Sequence, residues 1–301
     1  MNKPDYLGID IGGTSAKYAL ITQRGDIWEK GSFPTGRSCT LEGFLGQLLR
    51  VIQEAAASGI KGAGISCLGI IDPTQGIILG GVENMPYLKG LPLVQYIKDR
   101  CPDLAVSVCN DARAAALGEH WKGCAQAYKS FVCIVLGTGI GSAVVLNGEV
   151  WEGAHFRAGE LGYLDFQSND SPYLEKRIST SAVTAQASAL LGMPIDGFAL
   201  FKLAAQGNPV CTNLLDQWIH QLARVAASLI VLLDVECIIL GGGVSMEREM
   251  ILPKLREYTN KYLPAEMRNQ TVIETARRAN DANLLGAVAY LRKFTQNSSR
   301  Q

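Results

Sequence analysis

Two glycine-rich runs between apolar stretches carry the first chemical signal in this sequence. Asp10-Ile11-Gly12-Gly13-Thr14 and Gly137-Thr138-Gly139-Ile140-Gly141 put small residues where a backbone can approach a phosphate and turn its N–H groups outward. Thr14 adds a hydroxyl donor. Asp10 can hold Mg²⁺ directly or through water, since that ion takes few carboxylates and keeps many waters. The plain reading of each run is a hairpin turn. The two readings are compatible, because a hairpin's own backbone can bind a phosphate. The second run is not the dinucleotide fingerprint: Ser142 stands where the third glycine should be, and no helix follows. No G-K-[ST] occurs, which excludes a Walker-type loop. Gly241-Gly242-Gly243, between an apolar strand and a helix, could admit adenine and ribose against the backbone. Its plain alternative is a βα turn.

Asn110-Asp111 ends an apolar run and opens an alanine-rich helix. A helix dipole stabilises a carboxylate at that end. Asp111 is therefore expected to be ionised and able to accept a hydroxyl proton, as an Asp does in kinases generally. Asn110 can hold a neighbouring hydroxyl. The competing reading is a bare N-cap, since Asn and Asp are favoured there. Glu160, in Gly159-Glu160-Leu161-Gly162, is placed to accept from vicinal hydroxyls, or is a solvated loop charge. Asn84, in a Gly- and Pro-rich loop, and His155 are weaker hydroxyl-binding candidates. His120 and His220 lie within helical runs and are expected to have no catalytic part.

The elements that must position these residues repeat. Strands are predicted at Tyr6 to Asp10, Ser15 to Ile21 and Ile27 to Phe33, a helix over Leu41 to Ala55 and a strand at Ala63 to Cys67. A Gly-rich loop with Asp72-Pro73 comes next. A helix after Pro92, a strand at Ala105 to Cys109 and a helix at Ala112 to Trp121 complete βββαβαβα. The second half repeats the order. It has strands at Phe131 to Leu136, Ser142 to Leu146 and Glu149 to Trp151, and an inserted helical stretch over Pro172 to Gln206. A helix at Cys211 to Leu233, a strand at Glu236 to Leu240, a helix at Met250 to Tyr262, a strand at Thr271 to Glu274 and a last helix from near Asp281 follow. Two similar α/β halves are expected to form a cleft, with the two glycine turns facing one ligand from opposite sides.

Taken together, these motifs resemble the ROK family (repressor, open reading frame, kinase), in the actin-like, ribonuclease H-like ATPase superfamily. The resemblance runs from Gly8 to about Leu291. It implies an ATP- and Mg²⁺-dependent sugar kinase with Asp111 as general base and Asn110 and Glu160 on the sugar. Gly12, Gly13, Thr14, Gly137, Thr138 and Gly139 would take phosphates, and Gly241 to Gly243 the nucleotide. It also implies an N-terminal domain, 1–112, completed by the helix 281–301, a second domain, 113–280, and a homodimer. Most of the family follows G-E-x-G with a His and then a Cys cluster binding zinc. Here Tyr163 takes the His position and Leu164 to Ser179 contain no Cys, so no zinc site is expected. Phe156 to Tyr163 resembles the corresponding run of β-glucoside kinases. A glucose-type sugar or β-glucoside is the first expectation and N-acetylmannosamine the second, with phosphorylation at the 6-OH.

Bulk properties agree. The 301 residues suffice for two cores, and 28 basic residues balance 28 acidic ones, which gives no pull toward nucleic acid or an anionic membrane. The N-terminal apolar run is too short for a signal peptide, and Val225 to Leu233 is too short to span a bilayer. Eight scattered cysteines form no C-x-x-C pair, so a reducing, cytoplasmic setting is expected. A sugar-sensing repressor of the same family would need a helix-turn-helix before Asp10. A sensor without catalysis would not need Asp10, Asp111 and both glycine turns. Elemental analysis of the purified protein should show substoichiometric zinc. One tightly held zinc per chain would contradict the reading of Leu164 to Ser179.

Overall fold

Fully apolar and alternating runs set the strands, and capped amphipathic runs set the helices. The structure, a computed structural model, describes residues 3–164, 173–278 and 281–298. It divides into two compact units. The first takes Met1–Gln126, Glu152–Arg157 and Asn280–Gln301, and the second takes Ala127–Trp151 and Ala158–Ala279.

The first unit holds β1 (Tyr6–Ile11), β2 (Ser15–Ile21), β3 (Ile27–Pro34), α1 (Leu41–Ala57) and β4 (Gly62–Cys67). It continues with β5 (Ile70–Asp72), β6 (Ile77–Gly80), α2 (Leu93–Lys98), β7 (Ala105–Asn110) and α3 (Asp111–Lys122). The sheet order is β3-β2-β1-β4-β7. Only β1, β4 and β7 run parallel, with Ile11, Cys67 and Asn110 in register at their carboxyl ends. The stretch expected as a loop around Asp72-Pro73 is instead the hairpin β5–β6. Its turn is set by the Asp72 carboxylate, which accepts from the backbone of Thr74 and Gln75. Helix α1 starts at the Thr40 cap and buries Phe44, Leu48, Val51, Ile52 and Ala55 against the sheet.

The second unit holds β8 (Phe131–Leu136), β9 (Ile140–Leu146), β10 (Glu149–Val150), α4 (Glu175–Ile178), α5 (Thr180–Leu191) and α6 (Gly197–Ala205). After these come α7 (Pro209–Leu233), β11 (Cys237–Gly242), α8 (Arg248–Tyr262) and β12 (Val272–Thr275). Its sheet order, β10-β9-β8-β11-β12, repeats that of the first unit strand for strand. Strand β9 begins at Ile140, so the turn before it is only Gly137–Gly139 long. Strand β11 runs on through Gly241 and Gly242, which the sequence had placed after its end. The inserted helices close over a core in which the Trp218 indole donates to the Ile178 carbonyl at 2.8 Å. Pro172, where that stretch was expected to start, and residues 165–172 of the zinc argument lie outside the described residues. No helix among the described residues is long and apolar enough to cross a membrane.

The last helix, α9 (Ala282–Ser298), belongs to the first unit. So does α3, although the sequence places the domain boundary at residue 112. The two helices touch backbone to backbone. A methyl group on Gly286 would stand 1.6 Å from the Ala114 carbonyl oxygen, and one on Gly118 2.0 Å from that of Ala282. On the sheet side, Gly64 faces the Ala287 carbonyl at 2.1 Å by the same measure. Gly286→Ala should therefore cost about 1–3 kcal/mol of stability through overpacking. Gly46→Ala, in α1 with open space around it, should instead add ~0.5–1 kcal/mol by helix propensity. Thermal denaturation of the two variants beside wild type checks both signs.

Candidate active site

In the first unit the candidate residues gather at the carboxyl ends of parallel strands, where open α/β sheets bind ligands. Asp10 ends β1 half-buried. Its Oδ1 accepts from Ser66 Oγ on β4 at 2.8 Å and from Asn283 Nδ2 on α9 at 3.0 Å. Neither donor is charged, and no donor among the described residues reaches Oδ2. The Gly12–Thr14 turn follows. Thr35 ties down its carbonyls: Oγ1 donates to Gly12 O at 2.6 Å and N–H to Thr14 O at 3.0 Å. No acceptor among the described residues takes the N–H groups of Gly13 and Thr14. Asn84 lies exposed against this turn, its amide nitrogen 3.4 Å from where a Gly13 methyl would be.

Asn110 is the N-cap of α3, as the plain reading had it. Its Oδ1 accepts from Arg113 N–H at 3.2 Å, and its Nδ2 donates to Gly69 O at 2.9 Å. One further lone pair and one further N–H remain for a ligand. Asp111 is the first residue of α3, half-buried, with Oδ1 accepting from the Ala112 N–H at 2.8 Å. Between Asp10 and Asp111 lies the buried Cys67 thiol. Its pKa is pushed up, first by burial and then by the charges of Asp111 and Asp10. The two carboxylates therefore flank one point at the sheet's end.

His155 is exposed in the Glu152–Arg157 segment. That segment is held by Arg113, a buried cation that sequence reasoning missed among the alanines of α3. Its guanidinium donates to Phe156 O at 2.9 Å and pairs with the Glu152 carboxylate. Tyr290 OH on α9 donates to Glu152 at 3.3 Å. Burial raises the Glu152 pKa against the opposing pull of Arg113. Phe156 takes a positive φ of 58°, uncommon for a bulky residue. The one signal for this network was an arginine inside A-R-A-A-A. Ser66, Asn283 and Thr35 gave none, because their roles depend on register and on a helix far along the chain.

The second unit repeats the turn device. At Gly137–Gly139, Ser181 at the start of α5 secures the carbonyls: its N–H donates to Gly137 O at 3.3 Å and its Oγ to Thr138 O at 2.5 Å. Glu175 fixes the exit by accepting from Ile140 N–H at 3.0 Å. A methyl on Gly137 would meet nothing within 4 Å, so the fold itself does not require glycine there. Leu136 pairs with Gly242, which brings Gly137 beside Gly243. Gly242 has a fold reason of its own, φ +83° with its α-carbon face 2.1 Å (as a methyl) from Leu136 O. Glu160, half-buried, precedes the tight turn Leu161–Tyr163. Ser142 supports it by donating to Gly159 O and accepting from Leu161 N–H at 3.3 Å. Tyr163 stands exposed at the end of that turn.

Known proteins share this fold. The sequence model of the ROK family matches residues 6–293. A β-glucoside kinase of Klebsiella pneumoniae is 30% identical over 296 residues, 95% of this chain and 95% of its own. A ROK family protein from Streptococcus pneumoniae, solved with sucrose, superposes with a TM-score of 0.86 at 26% identity, covering 97% of this chain and 99% of its own. A ROK family glucokinase from Streptomyces griseus, solved with glucose and AMPPNP, gives 0.77 at 27%, covering 96% and 99%. The repeated βββαβαβα units are thus the actin-like ATPase fold.

Gly137→Val separates the turn's chemistry from its structure. The fold has room for the side chain, so the thermal midpoint should stay within a few degrees of wild type. The Kd for ATP should rise about tenfold or more, because the branched carbon blocks close approach. Unchanged ATP binding by calorimetry would remove this turn from the phosphate site.

Proposed function

The chain belongs to the ROK family, and on that premise we propose that it transfers the γ-phosphoryl group of ATP to a hydroxyl of a glucose-type sugar or β-glucoside. The observation that carries the reading is the paired turn device. In both units the turn carbonyls are tied down by hydroxyl-bearing residues, Thr35 and Ser181; among the described residues the Gly12 and Gly137 N–H groups bond within their own turns, and those of Gly13, Thr14, Thr138 and Gly139 are left for an anion. Two such turns suit the chained phosphates of a nucleoside triphosphate. The roles fall on residues of both units.

Asp111 accepts the proton of the attacking hydroxyl, for which the 6-OH is our choice as the unhindered primary alcohol. The Ala112 N–H, at the start of α3, orients the carboxylate for that part. Glu160 accepts from two vicinal hydroxyls. Asn110 and Asn84 bind others with their remaining amide groups, and His155 and Tyr163 line the sugar. Gly241 to Gly243 leave the backbone open to adenine and ribose. The donor set fits Mg²⁺: a carboxylate fixed through one oxygen, with Oδ2 of Asp10 left for the ion or its water. When bound with ATP, the ion supplies charge neutralisation on the phosphates.

Asp111→Asn should retain sugar binding and lower kcat by a factor on the order of 10² or more. Near-normal turnover would remove Asp111 from its role. Comparing kcat/KM for glucose, cellobiose and N-acetylmannosamine decides the sugar. A hundredfold preference for N-acetylmannosamine, roughly 2.7 kcal/mol in the transition state, would overturn the first choice.

A further inference from the structure

Tyr163 and Tyr173 stand together at the Glu160 loop. Their rings meet edge to face, centroids 5.4 Å apart at 86°. The residues are 61% and 45% exposed. Leaving two large aromatic faces in water forgoes burial that such side chains normally supply. Their chain neighbours Leu161 and Leu174, by contrast, are buried at 6% and 2%. The backbone fixes the pair from both sides. Leu174 N–H donates to Leu164 O at 2.8 Å, and Tyr163 N–H donates to Glu160 O at 3.2 Å. That second bond closes the short turn Leu161–Tyr163 onto Glu160, so the Tyr163 backbone is held to the backbone of Glu160.

We propose that Tyr163 and Tyr173 form a subsite for a ring linked to the sugar that Glu160 holds. The ring is the aglycone of an aryl β-glucoside or the second glucose unit of a disaccharide. The inference rests on the sugar-kinase reading and deepens it by naming the substituent. An edge-to-face pair presents one ring face and one ring edge in a fixed corner. The C–H face of a pyranose, or an aryl ring, packs on the face, and the phenolic hydroxyls at the rim can bond a substituent hydroxyl. A free hexose meets at most the Tyr163 side of this corner, whereas a linked ring can meet both rings. The pair therefore favours glycosides over glucose rather than binding all sugars alike.

The test uses the full chain, with phenyl β-glucoside, cellobiose and glucose as probes. Binding is read by calorimetry and turnover by kcat/KM. The variants are Tyr163→Ala, Tyr173→Ala and the conservative Tyr163→Phe and Tyr173→Phe, each with its thermal midpoint recorded. Either alanine variant should lower the glycoside-to-glucose ratio of kcat/KM roughly tenfold, about 1.4 kcal/mol, through KM rather than kcat. The phenylalanine variants should restore most of the ratio for phenyl β-glucoside. A ratio that does not move, or a wild type that binds phenyl β-glucoside no more tightly than glucose, overturns the subsite. Failure of the kinase reading looks different. A wild type that phosphorylates no sugar, yet shows a tyrosine-dependent glycoside preference in calorimetry, keeps the subsite and discards the kinase.

Discussion

The first unit depends on one close approach, that of α9 to α3 and the β1-β4-β7 ladder. Gly118, Gly286 and Gly64 bring its backbone within a methyl group's reach of its neighbours. No side chain fills those contacts, so the helix can lie in one place only. That placement carries Asn283 to the Asp10 carboxylate and Tyr290 to Glu152. The chain's last described helix thus sets the orientation of a carboxylate in its first strand. The fold and the candidate site share this constraint, because a shift of α9 that relieved a clash at Gly286 would also move the donor on Asp10.

Duplication explains the second regularity. Both sheets have the same strand order, and both first hairpins end in a turn that is held through its carbonyls. The partners differ in origin. Thr35 follows β3 directly, whereas Ser181 and Glu175 come from the inserted helices α4 and α5. The physical requirement is the same in each case. Backbone N–H groups can face an anion only if the peptide planes are prevented from flipping, and bonding the carbonyls prevents it. The insertion in the second unit therefore has a task beyond covering the sheet.

Strands and long helices were legible because their signals are local and periodic. Ser15–Ile21 and Phe131–Leu136 fall where alternation and apolar runs put them. The hairpin β5–β6 was not, since three- and four-residue strands around Asp72-Pro73 carry too few alternations to stand out from a glycine-rich loop. The glycine turns and Asn110-Asp111 could be found because their residue types are rare in combination. The residues that orient them could not. Ser66 reaches Asp10 through parallel register, and Asn283 reaches it across 273 positions of sequence. Arg113 was not singled out, since nothing local separates a buried helix arginine from a solvent-facing one; only the packed helix shows it buried against the Glu152–Arg157 segment. Tyr163 and Tyr173 were each visible as residues in place of zinc ligands, but their pairing was not, because a backbone pinch between Leu164 and Leu174 joins them.

The composition of the two turns explains how such a site can favour phosphate without becoming strongly basic. Neither Asp10–Thr14 nor Gly137–Gly139 contains a lysine or arginine. A P-loop uses a lysine at the corresponding task, and its charge is present whether or not nucleotide is bound. In the proposed site the attraction would come from N–H dipoles, which carry no net charge, together with the cation that accompanies the nucleotide. Asp10 and Asp111 stand at the same end of the first unit's sheet, on β1 and at the start of α3. A lysine placed between them would pair with Asp111 and lower its basicity, weakening the group that must accept a proton. Neutral donors around Asp10 and an amide cap beside Asp111 thus suit the hydroxyl-activating role proposed for that carboxylate.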